Sequence, residues 1–187
     1  MSGDRAKWDA KYGAGSHPST EPVPLLLEVL PHARPGRALD LACGRGRHAI
    51  ALARSGYAVD AIDVSPVGLA SARERAGDLA IRWTEADLQA CALETAAYQV
   101  IVWVHYTDEA LVPRVLEALA PGGVLVFCAR PRVLCRYGPP PGVVEGWFRS
   151  LRTLVHRETD DRIEYAGARG GRPNHRNDLH GSPDSVA

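Results

Sequence analysis

Five short apolar runs punctuate the middle of the chain: Arg37–Cys43, Tyr57–Val64, Ala80–Leu88, Tyr98–Tyr106 and Pro121–Arg130. Segments of helical spacing follow the first, second and fourth of them. Strands joined through helices cannot pair as hairpins, so they build a parallel sheet with helices on both faces. The fourth run is apolar nearly throughout, as a strand covered on both sides must be. Local punctuation agrees. Ser65-Pro66 reads as an N-cap with proline at the first helical position, while Gly56 and Gly77 read as helix stops. Pro113 marks the start of a later helix. Beyond the proline-rich "YGPPPG", a short helix is predicted over 143–151. "RTLVHRE" and "RIEYAGA" then flank Asp160-Asp161 as a terminal antiparallel hairpin. The fold class is therefore α/β: a Rossmann-like, doubly wound sheet, mostly parallel, with a C-terminal antiparallel hairpin.

The 187 residues suit one domain over 1–168, with residues 1–30 as an N-terminal helical or lid segment. Residues 169–187 lack periodicity and are expected to be a disordered tail. Net charge is zero and the pI about 7.1, which argues against nucleic-acid and membrane-surface partners. No signal-peptide pattern opens the chain, and no apolar stretch is long enough to span a bilayer. Cys43, Cys91, Cys128 and Cys135 form no C-x-x-C pair; reduced thiols in a cytoplasmic protein are expected, and no metal site. The expected partner is a small molecule, and the expected assembly a monomer or homodimer.

The first strand exits into "LDLACGRGRHAIALA", where Gly44, Gly46 and Ala49 give G-x-G-x-x-A. Ligands of parallel sheets sit beyond the carboxyl ends of strands. Glycines there allow a sharp turn and close approach of the backbone, and the free amides of the next helix face the same spot. Asp63 ends the second strand, about twenty residues on, where an acid accepts from ribose hydroxyls. Asp87 ends the third, where an acid accepts from an exocyclic amine. Both also have plain structural uses as helix or turn caps.

Such a turn serves a nicotinamide dinucleotide or S-adenosylmethionine. Asp40, four residues before Gly44, favours the second: a carboxylate there repels a pyrophosphate but attracts an ammonium, through water or backbone groups. The helix amides then take the ligand's carboxylate.

With these residues in view, "LDLACGRG" resembles motif I of the class I S-adenosylmethionine-dependent methyltransferases. "VDAIDVSPVGLASAR", "TEADLQ" and "LEALAPGGVLVF" resemble their later motifs, and together the likeness covers roughly residues 37–130. "KWDAKY" and the segment "PPPGVVEGWFRSLRTLVHRE" are similar to small bacterial tellurite-resistance-type methyltransferases. The resemblance implies the seven-stranded methyltransferase sheet and S-adenosyl-L-methionine as cofactor. It assigns cofactor contacts to Asp40, Ala42, Gly44, Gly46, Asp63, Val64, Ala86, Asp87, Leu88 and Val104. Trp8 and Tyr12, one helical turn apart, resemble the family's N-terminal lid. His105, Tyr106 and Arg130, at the ends of the fourth and fifth strands, stand where an acceptor meets the methyl group. Three departures accompany the likeness. Ala42 replaces a common first glycine, Gln99 stands where an aspartate is usual, and the segment after Arg130 is short. The expected activity is methyl transfer to a small acceptor, a thiol or an oxyanion of selenium or tellurium. The alternative is a cofactor-binding protein without transfer activity, a sensor or partner subunit.

Overall fold

The computed structural model describes residues 2–14, 19–135 and 138–171. The chain opens with helix α1 (Ser2–Gly13), then α2 (Pro24–Val29) and a 3-10 turn at Leu30–His32. β1 (Arg37–Leu41), α3 (Arg47–Arg54), β2 (Ala58–Asp63), α4 (Pro66–Ala76), β3 (Ile81–Glu85) and β4 (Tyr98–Val104) follow. α5 (Val112–Ala118), β5 (Leu119–Ala129), α6 (Val144–Trp147), β6 (Arg152–Glu158) and β7 (Ile163–Ala168) complete the order. One seven-stranded sheet runs β3-β2-β1-β4-β5-β7-β6. β7 is antiparallel to β5 and β6, and the remaining pairs are parallel. The predicted α/β class and its closing hairpin are both present.

The helix signals act as expected. The Ser65 side chain accepts the Gly68 amide at 3.1 Å, with Pro66 in the first turn of α4, and Gly77 ends that helix at φ +56°. Pro113 sits in the first turn of α5, one residue later than the helix start. "PGG" at 121–123, expected at the start of the fifth strand, lies inside β5, which begins at Leu119. There the pairing with β4 slips between Tyr98 and Val100, and Gly122 takes φ +78°. α6 covers only Val144–Trp147 because the chain turns after Phe148.

The sheet separates two apolar layers. On one side Trp103, fully buried, meets Phe127 and Phe148 edge-on at 5.3 and 6.4 Å. On the other side Leu26, Leu52 and Leu69 from α2, α3 and α4 pack over β1 and β4. Gln99, in the place of the usual aspartate, accepts the Arg37 amide at 2.8 Å and so holds the start of β1. Arg169, where the tail was expected to begin, is tied instead: its guanidinium donates to the carbonyls of Leu116, Glu117 and Leu119. The rest of the expected tail, 172–187, lies outside the described residues.

Candidate functional site

The ends of β1, β2, β3, β4 and β5 converge on one cavity of about 580 Å³. This position follows from the topology: β2 and β4 lie on opposite sides of β1, so the helices after β1 and β4 diverge and leave a crevice. Among the residues expected at a site, Trp8, Tyr12, Ala42, Gly44, Asp63, Val64, Ala86, Asp87, Leu88, Val104, His105, Tyr106 and Arg130 all line it.

The turn after β1 is left-handed at Ala42 (φ +52°), Gly44 (φ +55°) and Gly46 (φ +74°). The position of Ala42 explains why glycine is common there: a residue with a Cβ costs about 1–2 kcal/mol in this region. The two glycines have different neighbours. A Cβ on Gly44 would lie 2.6 Å from the Tyr12 hydroxyl, on the cavity side. A Cβ on Gly46 would lie 2.6 Å from the Trp83 ring and 3.0 Å from the Ala72 Cβ. Gly46, expected against the ligand, is therefore off the cavity wall and serves the packing of the turn on β3 and α4.

Asp63 is buried, and its carboxyl accepts the amides of Gly44 at 2.7 Å and Ser65 at 2.9 Å. It pins the glycine turn to the end of β2 while still lining the cavity. Burial raises its pKa, opposed by these amide bonds. Asp87 bonds the Gln89 amide at 2.9 Å, the turn-capping use anticipated for it, and also reaches the cavity. Asp40 lies behind the turn rather than on the wall. Its carboxyl is fully buried and accepts the Ala49 amide at 2.9 Å, and burial pushes its pKa up to about 8. Asp40, expected among the cofactor contacts, does not line the cavity.

The N-terminal helix covers the cleft. Trp8 and Tyr12 stack at 5.7 Å, with the Lys11 ammonium 4.5 Å from the Trp8 ring. Asp9 accepts from the Ser65 hydroxyl, and Arg5 reaches Glu85 at 3.0 Å, so α1 is tethered to the ends of β2 and β3. The Tyr12 ring lies over Gly68. Burial first, then the nearby carboxyls, raise the pKa of its phenol.

On the far side, His105 also takes a left-handed backbone, φ +61°, and its amide donates to the Cys128 carbonyl at 2.8 Å. A non-glycine residue held there costs about 1–3 kcal/mol, a strain found at sites that aim a side chain. Desolvation at the cavity wall, then the guanidiniums of Arg47 and Arg130, lower its pKa to about 4, so the ring is neutral at pH 7. Cys128 is buried in β5 with its pKa pushed up to about 12, the inert thiol expected of a strand interior. The short segment after Arg130 folds back on itself, Arg132 to Pro139 at 3.0 Å, and contributes Cys135 and Gly138 to the wall. Arg132 braces this loop through the Gly138 carbonyl at 3.1 Å. Arg136 is outside the described residues.

Residues not anticipated include Arg47 and His48 in the first turn of α3, and Lys7, Lys11, Arg45 and Arg75. Their signal was available for Arg47 and His48, which directly follow the glycine turn; the others depend on how α1 and α4 pack. Among the described residues no three histidine, cysteine or acidic side chains cluster as metal ligands, and no helix is long and apolar enough to cross a membrane.

Comparison with known proteins adds to this geometry. Residues 38–123 match the model of a methyltransferase domain. Over 116 residues the chain is 34% identical to a trans-aconitate 2-methyltransferase of Paracidovorax citrulli, a match covering 58% of this chain and 44% of that protein. The chain thus spans about half the length of the curated relatives it matches. Among solved structures, the N-methyltransferase NodS of Bradyrhizobium japonicum in complex with S-adenosyl-L-homocysteine superposes with a TM-score of 0.66. It is 20% identical, over 78% of this chain and 84% of that one. TehB of Haemophilus influenzae superposes with a TM-score of 0.67 at 18% identity, over 78% and 61%.

Proposed function

We propose, on the premise that residues 38–123 are a methyltransferase domain carried on the class I S-adenosylmethionine-dependent fold, that this chain methylates a small anionic acceptor. A thiolate or an oxyanion of selenium or tellurium is the acceptor type. The observation that carries the reading is the charge of the cavity wall. Lys7, Lys11, Arg45, Arg47, Arg75 and Arg130 line it against Asp63 and Asp87. An excess of cations in a cleft concentrates anions. Relatives named for trans-aconitate, an organic anion, are in keeping with this.

The residues fit the cofactor. Gly44 leaves a cradle that a Cβ would fill, and acids at the ends of β2 and β3 suit a ribose and an exocyclic amine. When bound, S-adenosylmethionine supplies an electrophilic methyl group on a sulfonium. Asp63 accepts from ribose hydroxyls with the lone pairs its two amide bonds leave open. Asp87 accepts from the adenine amine. Ala42, Val64, Ala86, Leu88 and Val104 form the apolar walls beside them. Trp8 and Tyr12 close over the cleft, exclude water and present ring faces to positive charge. Arg130 holds the acceptor's anionic group, while Tyr106 and the neutral His105 orient it. An anionic acceptor needs no base, and holding the reactants aligned supplies most of the acceleration. A cytoplasmic setting suits four unpaired cysteines.

Calorimetric titration tests the cofactor: S-adenosylhomocysteine is expected to bind in the micromolar range and nicotinamide dinucleotide not at all. Product analysis with selenite, tellurite and small thiols tests the acceptor. Binding of the dinucleotide alone would end this reading.

A further inference from the structure

A second, smaller cleft of about 300 Å³ lies between α3 and the segment that precedes α2. Arg47, Ile50, Ala51 and Arg54, spaced i, i+3, i+4 and i+7, turn one stripe of α3 into it. Thr20 and Glu21 form another wall, and Arg75 reaches in from the last turn of α4. Thr20, Arg47 and Arg75 also line the first cavity, so the two adjoin. The glycines of the turn after β1 do not line the second cleft.

Its charges are unbalanced. Among the described residues, none of Arg47, Arg54 and Arg75 forms an ion pair with a carboxylate. Arg75 donates to the carbonyls of Arg45 at 2.8 Å and Thr20 at 3.5 Å. Arg47 donates to those of Ser19 at 3.5 Å and Glu21 at 3.4 Å. Carbonyls leave the cationic charge in place, and three of these four bonds are long. Arg54 is exposed, and its guanidinium has no partner among the described residues. Three guanidiniums against the one carboxylate of Glu21 leave an excess of two positive charges. Arg47 is half-buried, and desolvation lowers its pKa in spite of the Asp40 carboxyl, so its charge is short of compensation.

An excess of cations in a cleft concentrates anions. Guanidinium forks pair bidentately with carboxylate and phosphate oxygens. The volume is at the small end of ligand sites and suits a small molecule.

We propose that this cleft is a second ligand site, for a small multiply charged oxyanion, phosphoryl or polycarboxylate, held by Arg54 together with Arg47 and Arg75. The site does not depend on what fills the first cavity.

Arg54 separates the two places, because it lines the second cleft and not the first, whereas Arg130 lines only the first. The full chain is titrated by calorimetry with inorganic pyrophosphate and with citrate, in about 0.1 M salt, where the Debye length is about 10 Å. At least one anion should bind saturably. Arg54→Gln should weaken that binding about tenfold or more, the range for a lost charge-assisted hydrogen bond. Arg54→Glu should abolish it. Arg130→Gln should leave it within about twofold, as should Arg149→Gln, an exposed charge beside Phe148 on the other layer of the sheet. Tighter pyrophosphate binding identifies a phosphoryl ligand, and tighter citrate binding a polycarboxylate. Arg54→Gln should melt with wild type, since that guanidinium holds nothing in the described fold.

Absence of saturable binding of both anions at millimolar concentration would overturn the proposal. So would equal weakening by Arg54→Gln and Arg149→Gln, the mark of bulk charge. Binding lost in Arg130→Gln but kept in Arg54→Gln would put the anion in the first cavity and overturn it too. Should glutamine lower stability and binding together, Arg54→Lys restores the charge and should recover most of the binding; no recovery would also overturn the proposal.

Discussion

Gly44 and Gly46 stand two residues apart in one motif, yet alanine at each should fail in a different way. At Gly46 (φ +74°) the added Cβ would sit 2.6 Å from the Trp83 ring and 3.0 Å from the Ala72 Cβ. Left-handed backbone costs about 1–2 kcal/mol with a side chain, and overpacking a tight contact about 1–3 kcal/mol. The stiffer unfolded chain returns about 0.4–1 kcal/mol. Gly46→Ala should therefore lose roughly 2–4 kcal/mol of stability by this sum. At Gly44 (φ +55°) the Cβ meets the far end of the Tyr12 side chain, its hydroxyl at 2.6 Å and the carbon bearing it at 3.2 Å, which can swing away. The backbone term alone remains, about 1 kcal/mol after the unfolded-state return. The cost there falls on the ligand, whose place the methyl occupies. Urea denaturation at constant m, paired with S-adenosylhomocysteine titration, measures both quantities. Gly46→Ala should be the less stable variant, and Gly44→Ala the weaker binder relative to its stability. The opposite ordering in either measurement would refute the packing argument.

Asp40→Asn should flatten the dependence of stability on pH. The native carboxyl has its pKa raised from 3.8 to about 8. The folded state thus holds a proton that the unfolded state has shed, and this contribution is full below about pH 4 and lost as pH rises through about 8. His48 and His105, lowered to about 3 and about 4, act in the other direction, losing stability as pH falls below 6.5. Denaturation midpoints taken from pH 6.5 to 8.5 isolate Asp40; parallel curves for wild type and Asp40→Asn would count against its burial as described. Trp8→Ala and Tyr12→Ala should each weaken S-adenosylhomocysteine binding and slow turnover. The melting temperature should change little, since α1 is held separately by Asp9 and Arg5. Wild-type binding and turnover in both variants would show that the helix is no lid.

Much of this molecule was legible because its signals are local. The order of strands and helices, the Ser65 cap, the Gly77 stop and the acids at the ends of β2 and β3 all depend on residues close in sequence. The cavity wall was readable to the same extent, since parallel topology places strand ends together whatever the side chains. Asp63 was legible as an acid at the strand end and as a cap, but not as a clamp on the glycine turn. Its carboxyl clamps the Gly44 and Ser65 amides, a bond spanning nineteen residues in one case.

The sequence by itself determined the doubly wound sheet, its glycine turn and the nucleoside chemistry that such a turn invites. Only the tertiary structure decided which way each residue of that turn faces. Gly46 turns to Trp83 on β3, Gly44 to Tyr12 on α1, Asp40 inward to the amide of Ala49, and Asp63 to the amides of Gly44 and Ser65. Sequence spacing carries a residue's type and its place along an element. Its neighbours come from elements remote in the chain, and in a close-packed interior those neighbours decide whether a glycine is a seam or a cradle, and whether a carboxyl is spent inside the fold or reaches the cavity wall.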